Sequence, residues 1–209
     1  MATATFQNPV YVRPRLGGVM PYARGGDMES YFGEAPTPGP WGINDLLYID
    51  SSGNIAICTT SSSLLDSAIA GLAKEASTGT DYNPVEFFPI HPNDVFEMNT
   101  YHATAATSVP TRAMLGTVRG IFMSSATSSK WCVDVENSVE GSNHSGARVL
   151  VVGFAEYIID STTGQVVKQN IPSTSPSVTG DIYGRLMLKF LEFSIAQTGT
   201  LAGKRILQL

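Results

Sequence analysis

The sequence predicts a mostly β protein: a small antiparallel β-barrel or sandwich with a long extended N-terminal arm and at most one short helix. Three observations lead there. Runs of Val, Ile, Leu, Tyr and Phe recur between clusters of Gly, Asn, Asp and Ser, as strands do between turns. Arg148 to Val167 reads as a β-branched run, a turn signal (Asp160-Ser161-Thr162-Thr163-Gly164) and the start of a second run. The leading residues are broken by proline and glycine throughout, which leaves no room for a helix or a central strand.

Those leading residues, 1–45, form the predicted arm, and 46–209 form the body. Pro9, Pro14, Pro21, Pro36, Pro38 and Pro40 alternate with glycines, while Tyr11, Tyr22, Tyr31, Phe32 and Trp41 are spread among them. Ordering a residue costs roughly 1–2 kcal/mol, and burying one large apolar side chain returns about 1.5–3 kcal/mol. Five aromatics do not order such an arm alone, so it is expected to lie along another surface. Arg13, Arg15 and Arg24 precede the first acid, Asp27, so the first 26 residues carry +3 and the rest of the chain −8. A basic arm on an acidic body points to docking on acidic protein, a neighbouring copy included.

The body follows in order. Leu46 to Cys58 is strand, Asp-Ser-Ser-Gly-Asn turn and strand; its turn echoes the one at Asp160, but two short similar turns do not make a repeat. Ser61 to Ala76 has apolar spacings that fit one helical face, although Gly71 weakens a helix and a strand through Ile69 to Ala73 fits almost as well. Val85 to Ile90 is apolar but holds Pro89, which places it at an edge or a bend. In Val95 to Tyr101, Phe96 and Met98 share one face and Glu97 and Asn99 the other. Met114 to Met123 and Lys130 to Val135 are further strands, the latter with Trp131, Val133 and Val135 facing one way and Cys132, Asp134 and Glu136 the other, where Asp134 and Glu136 read as solvated. Near-continuous apolar character makes Val149 to Phe154 a central strand. Asp181 to Ile195 closes the domain, read as a strand with Ile182, Leu186, Leu188 and Phe190 on one face, although Leu186 to Ile195 also fits a short helix. Seven to ten strands are expected in all.

Composition narrows the function. Charged residues make up only 15% of the chain, against roughly a quarter in ordinary soluble proteins, which suits an assembly subunit. A net charge of −5 argues against nucleic acid, which calls for clustered Lys and Arg. No apolar run reaches the roughly eighteen residues of a membrane span, and the first residues show no secretory signal. Cys58 and Cys132 read as free, packed thiols. His91, His102 and His144 lack metal-ligand spacing, and neither a catalytic motif nor a cofactor or metal site is expected.

Asp181-Ile-Tyr-Gly-Arg-Leu-Met-Leu-Lys-Phe-Leu191 resembles the final strand of the capsid decoration, or cement, proteins of tailed bacteriophages. Phe88-Pro-Ile-His-Pro-Asn-Asp-Val-Phe-Glu-Met98 is similar to their segment of apolar residue, proline, turn and strand. Leu115-Gly116 before a strand, then Val149 to Phe154, keeps the same order. The resemblance spans roughly residues 46–196, and the long arm departs from the compact head-stabilising type. It implies a non-enzymatic virion protein, assembled in the host cytoplasm, that sits on the outside of an icosahedral capsid and stabilises contacts between major capsid protein subunits. Its partners are then that capsid protein and other copies of itself, a trimer among the options. Expected arm anchors are Tyr11, Arg13, Arg15, Tyr22, Arg24, Tyr31, Phe32 and Trp41, and a chain lacking residues 1–40 is expected to fold without binding shells. The alternative is a phage tail or fibre component that recognises a host surface.

Overall fold

The structure, a computed structural model, describes residues 6–12, 29–35, 39–50, 52–59, 69–90, 94–123, 127, 129–135, 148–160, 162–173 and 180–191. The chain is mostly β, as its turn-punctuated apolar runs require. Its strands are β1 (Val10–Val12), β2 (Glu29–Gly33), β3 (Leu46–Ile49), β4 (Ile55–Ile57), β5 (Ile69–Ala73), β6 (Pro84–Pro89), β7 (Val95–Tyr101), β8 (Val118–Phe122), β9 (Cys132–Asp134), β10 (Arg148–Phe154), β11 (Tyr157–Ile159), β12 (Val166–Lys168) and β13 (Arg185–Phe190). They outnumber the seven to ten expected because β1 and β2 fall among the leading residues assigned to the arm, and the run from Arg148 to its turn holds two strands, β10 and β11, in place of one. Single 3₁₀ turns are described at Ala105–Thr107 and Arg112–Met114.

The single body expected from residue 46 onward is instead two compact units. The earlier unit is Arg13–Asp94 with Phe190–Leu209, and the later unit is Met1–Val12 with Val95–Lys189. The described parts of 1–45 are therefore not a separate arm. Residues 10–12 pair with β7 of the later unit, and residues 29–34 pair inside the earlier one. Strand pairing supplies backbone hydrogen bonds that the aromatic residues alone lack, and this is what orders them.

In the earlier unit the sheet runs β2-β6-β5-β3-β4, and Glu34, just past β2, bridges Ile55 of β4 in parallel. The Ala35 N–H donates to the Ile55 carbonyl across that seam at 2.9 Å. The ladder thus closes into a ring of five strands. Inside it, Trp41, Leu47, Ile55, Ala70, Ala73, Val85 and Phe87 form one buried cluster, with Ile49 and Ile57 packed against it. The predicted β3–β4 turn is present, its Asp50 Oδ1 accepting from the N–H of Ser52 and of Asn54, each at 2.8 Å. Ile69–Ala73, where helix and strand competed, is a fully buried strand between β3 and β6. β6 is itself internal, and Pro89 is accommodated as its last residue.

The later unit repeats that connectivity. Its sheet runs β1-β7-β13-β10-β8-β9, and β9 returns to pair in parallel with β7. In both units the first ring strand pairs with the fifth, the fifth with the fourth, the fourth with the second, the second with the third, and the third runs parallel to the first. The chain is a tandem of one topology. The two similar turns are not equivalent within it, since Asp50 joins the second and third ring strands while Asp160 lies between the fourth and fifth.

The later unit adds two pieces to the ring: β1, on β7, and the hairpin β11–β12, between β10 and β13. Arg148 to Val167 is therefore two structures. β10 is a ring strand between β13 and β8, as its apolar run implies, but the chain then leaves the sheet and pairs β11 with β12. Leu186, Leu188 and Phe190 of β13 are buried, alternating with half-buried neighbours as expected.

Candidate functional site

The hairpin is held at both ends. At its tip the Asp160 N–H donates to the Gln165 carbonyl at 2.8 Å and the Gly164 N–H to the Asp160 carbonyl at 2.7 Å. Asp160 Oδ1 accepts from the Thr162 N–H at 2.7 Å and the Thr163 N–H at 3.2 Å. Gly164 has φ +69°, a left-handed conformation that residues with a Cβ adopt at a cost, so the turn closes on glycine. At its base the Gln169 N–H donates to the Glu156 carbonyl at 2.8 Å. The Gln169 side chain stands in for a missing strand: Nε2 donates to the carbonyls of Ala155 (3.1 Å) and Arg185 (2.9 Å), and Oε1 accepts from the Arg185 N–H (2.5 Å).

Between these fixed ends the register sets Ile159 opposite Val166, Ile158 opposite Val167 and Tyr157 opposite Lys168. Side chains alternate along a strand, so Tyr157, Ile159, Val166 and Lys168 share one face and Ile158 and Val167 the other. Ile158 is buried. On the opposite face Tyr157 is 52% exposed, Ile159 46% and Val166 69%. Among the described residues the remaining exposed large apolar side chains are Ile43, Tyr82 and Leu115, so half of the set gathers on this hairpin. A two-stranded ribbon with an apolar outer face and open edges is an invitation to a partner.

Val149 to Phe154, read as a central strand, is one, but the β-branched run that follows it leaves that sheet, because Val, Ile and Tyr carry the same strand signal whether a face is covered or bare.

The expected anchors fall in different places. Tyr11 lies on β1, half-buried, with its ring edge-on to Phe96 at 5.6 Å. Trp41 is 4% exposed and belongs to the core of the earlier unit, its backbone clipped to Ser77 by two hydrogen bonds. As an outward anchor it is corrected: it packs inward. Tyr31 and Phe32 are on β2, with side chains outside the described residues, and Arg13, Arg15, Tyr22 and Arg24 lie outside them altogether.

The acidic and thiol groups are built into the fold. Glu34, only 1% exposed, accepts from the Thr78 N–H at 2.7 Å, the Thr78 hydroxyl at 2.9 Å and the Gly79 N–H at 3.1 Å. Asp134, read as lying on a solvated face, is buried, and so is Asn99, placed with Glu97 opposite Phe96 and Met98. Asp134 favours the charged form of Arg119, against burial that lowers the guanidinium pKa. Asn99 accepts from the Gln7 N–H at 3.0 Å and donates to the Tyr183 carbonyl at 2.7 Å. Both cysteines are free and buried, and burial pushes both thiols well up from their ordinary range. His102 uses Nδ1 to accept from the Thr104 N–H at 2.8 Å; His91 and His144 lie outside the described residues. Among the described residues no group of three His, Cys, Asp or Glu is placed to hold a metal ion.

No family model, no curated protein and no solved structure matches the chain.

Proposed function

We propose that this protein is a non-enzymatic virion subunit that binds the outside of an icosahedral capsid and cements contacts between major capsid protein subunits. The observation that carries the reading is the outer face of the β11–β12 hairpin, where Tyr157, Ile159 and Val166 stand exposed on a ribbon fixed at both ends. A shell-binding protein needs such a rigid apolar element, because it gains from burial without losing entropy on docking. Covering one such side chain returns about 1.5–3 kcal/mol, and many copies on one lattice add their contributions. The resemblance of residues 88–98 and 181–191 to cement proteins supports the same class. The low charge of the chain agrees with it.

The shell contact moves accordingly from the leading residues to the hairpin, with Arg13, Arg15, Tyr22, Arg24, Tyr31 and Phe32 as the arm positions still assigned to it. Deleting residues 1–40 removes β1 and β2, opens the five-strand ring of the earlier unit and unseats Asn99, so that truncation is now expected to unfold the protein. The test uses point variants instead. Empty shells of the major capsid protein encoded in the same genome are mixed with the full chain and sedimented. The wild type is expected to pellet with shells, and Ile159→Asp and Val166→Asp to remain in the supernatant with unchanged circular dichroism. Failure of the wild type to pellet refutes the proposal, and retention on a glycan array would favour the tail-fibre reading in its place.

A further inference from the structure

One edge of β7 is paired with β13, and the opposite edge is divided. Thr100 and Tyr101 pair with β9, whereas Val95 to Glu97 pair with β1. β9 thus closes the ring over only part of that edge, and residues 6–12 fill the remainder.

The seat they occupy is built for them. Fully buried Asn99 accepts from the Gln7 N–H at 3.0 Å. Arg185 Nη1 donates to Gln7 Oε1 at 2.8 Å, beside the Glu97 carboxylate at 3.5 Å. The Phe6 ring lies 4.3 Å from that of Tyr183, and Tyr11 meets Phe96 edge-on. Without this segment, Asn99 and Arg185 each lose a partner in a place water reaches poorly, and the Val95–Glu97 backbone is left as a bare edge.

Every one of these contacts is indifferent to which chain the strand comes from. Residues 13–28 separate β1 from β2, and at about 3.3 Å each they reach up to roughly 50 Å, against a radius of gyration near 13 Å for a 100-residue unit. The first 26 residues are basic and the rest of the chain is acidic, so a leading segment is drawn to the body of another copy as well as to its own.

We infer that the Val95–Glu97 edge of β7, with Asn99, Tyr183 and Arg185, is a docking site for residues 6–12 of a second copy of this chain, and that copies associate by exchanging this strand. The exchange keeps every contact and adds only the constraint between chains, which is how swapped oligomers form at low cost. The inference concerns copies in solution and stands apart from the shell reading.

The test uses full chains. Val10 and Glu97 are directly opposed, and opposed residues in an antiparallel pair have Cα atoms within the range of about 4.4–6.8 Å that a disulfide spans. Val10→Cys in a tagged chain and Glu97→Cys in an untagged one are co-expressed and oxidised. The expected product is a disulfide-linked heterodimer at twice the chain mass, in an amount that rises with concentration and is absent from wild-type mixtures. Val12→Cys with Val95→Cys repeats the test at a second register pair that leaves Glu97 and its ion pair with Arg185 intact. Linkage only within single chains carrying both cysteines overturns the inference, and so does absence of linkage in every arrangement at both pairs. Shell sedimentation is read separately, so either proposal can fail alone.

Discussion

Trp41→Ala is the substitution on which the sequence and the structure disagree most sharply. An outward anchor can be truncated at little cost to folding, typically within about 0.5 kcal/mol. Trp41 is instead 4% exposed, inside the cluster of Leu47, Ile55, Val85 and Phe87, and its backbone is tied to Ser77 by hydrogen bonds of 3.0 and 3.1 Å. Removing a buried indole costs about 3–5 kcal/mol, a large share of the 5–15 kcal/mol that typically holds a domain together. The indole also carries a defect, since its buried Nε1–H finds no hydrogen-bond partner among the described residues. An orphaned donor costs about 1–3 kcal/mol, so Trp41→Phe, which deletes it and keeps most of the apolar surface, is expected to cost less than about 1.5 kcal/mol. Urea unfolding followed by far-ultraviolet circular dichroism reads both variants. With slopes of about 1–3 kcal/mol per molar, Trp41→Ala lowers the midpoint by about 1 M or more. An unchanged midpoint for Trp41→Ala, or equal losses for the two variants, would refute the packing argument.

Other expectations follow from the buried polar groups. Glu34→Ala strips three donors of one acceptor and should cost about 3–5 kcal/mol by the same assay, with Glu34→Gln recovering part of it. Cys58 and Cys132 should resist a thiol reagent at pH 8 in the native protein and both react in denaturant, because burial disfavours the thiolate as well as access. Burial raises the Asp181 pKa, against a hydrogen bond from the Asn170 N–H that lowers it. A carboxyl with a folded pKa above its unfolded one binds its proton more tightly when folded. Its contribution is therefore full below the unfolded pKa and declines as pH rises through the folded one. Asp181→Asn should flatten that decline in a pH series of unfolding midpoints.

What the sequence makes legible is whatever depends on one strand at a time. Val149 to Phe154, Val95 to Tyr101 and Arg185 to Phe190 announce themselves by their own apolar pattern, and Asp50 and Asp160 announce their turns. Partnership is another matter. Nothing local tells that Glu34 closes one ring on Ile55 or that β9 closes the other on β7, since a parallel pairing between distant segments leaves no periodic trace. The tandem topology is hidden for the same reason: equivalent strands share only the demand for alternate apolar residues, and many sequences meet it. Asp134 misled the face assignment because alternation reports side-chain direction and not what lies in that direction. The apolar hairpin face leaves no sign of its own, because Tyr157, Ile159 and Val166 carry the same pattern as core residues.

The tandem makes its own prediction through a pair of glycines. The fourth ring strand of each unit carries one facing the fifth, Gly71 on β5 and Gly153 on β10. A Cβ on Gly71 would lie 2.1 Å from the Phe88 carbonyl oxygen and 2.7 Å from Phe87 Cδ2, so backbone in the middle of a sheet would have to move. A Cβ on Gly153 meets Met187 instead, 3.4 Å from Sδ, and an unbranched thioether shifts by a few tenths of an ångström with little resistance. Gly71→Ala is therefore expected to destabilise by about 3 kcal/mol or more, the upper end of overpacking costs. Gly153→Ala is expected to lie between neutral and about 1 kcal/mol stabilising, because alanine restricts the unfolded chain more than glycine does. The same substitution on the fourth strand of each unit should thus differ in outcome, and thermal melts of the two variants decide it. Equal losses would mean that the fourth and fifth strands of the later unit approach as closely as those of the earlier one, and the two rings would then be alike in spacing as well as in connectivity.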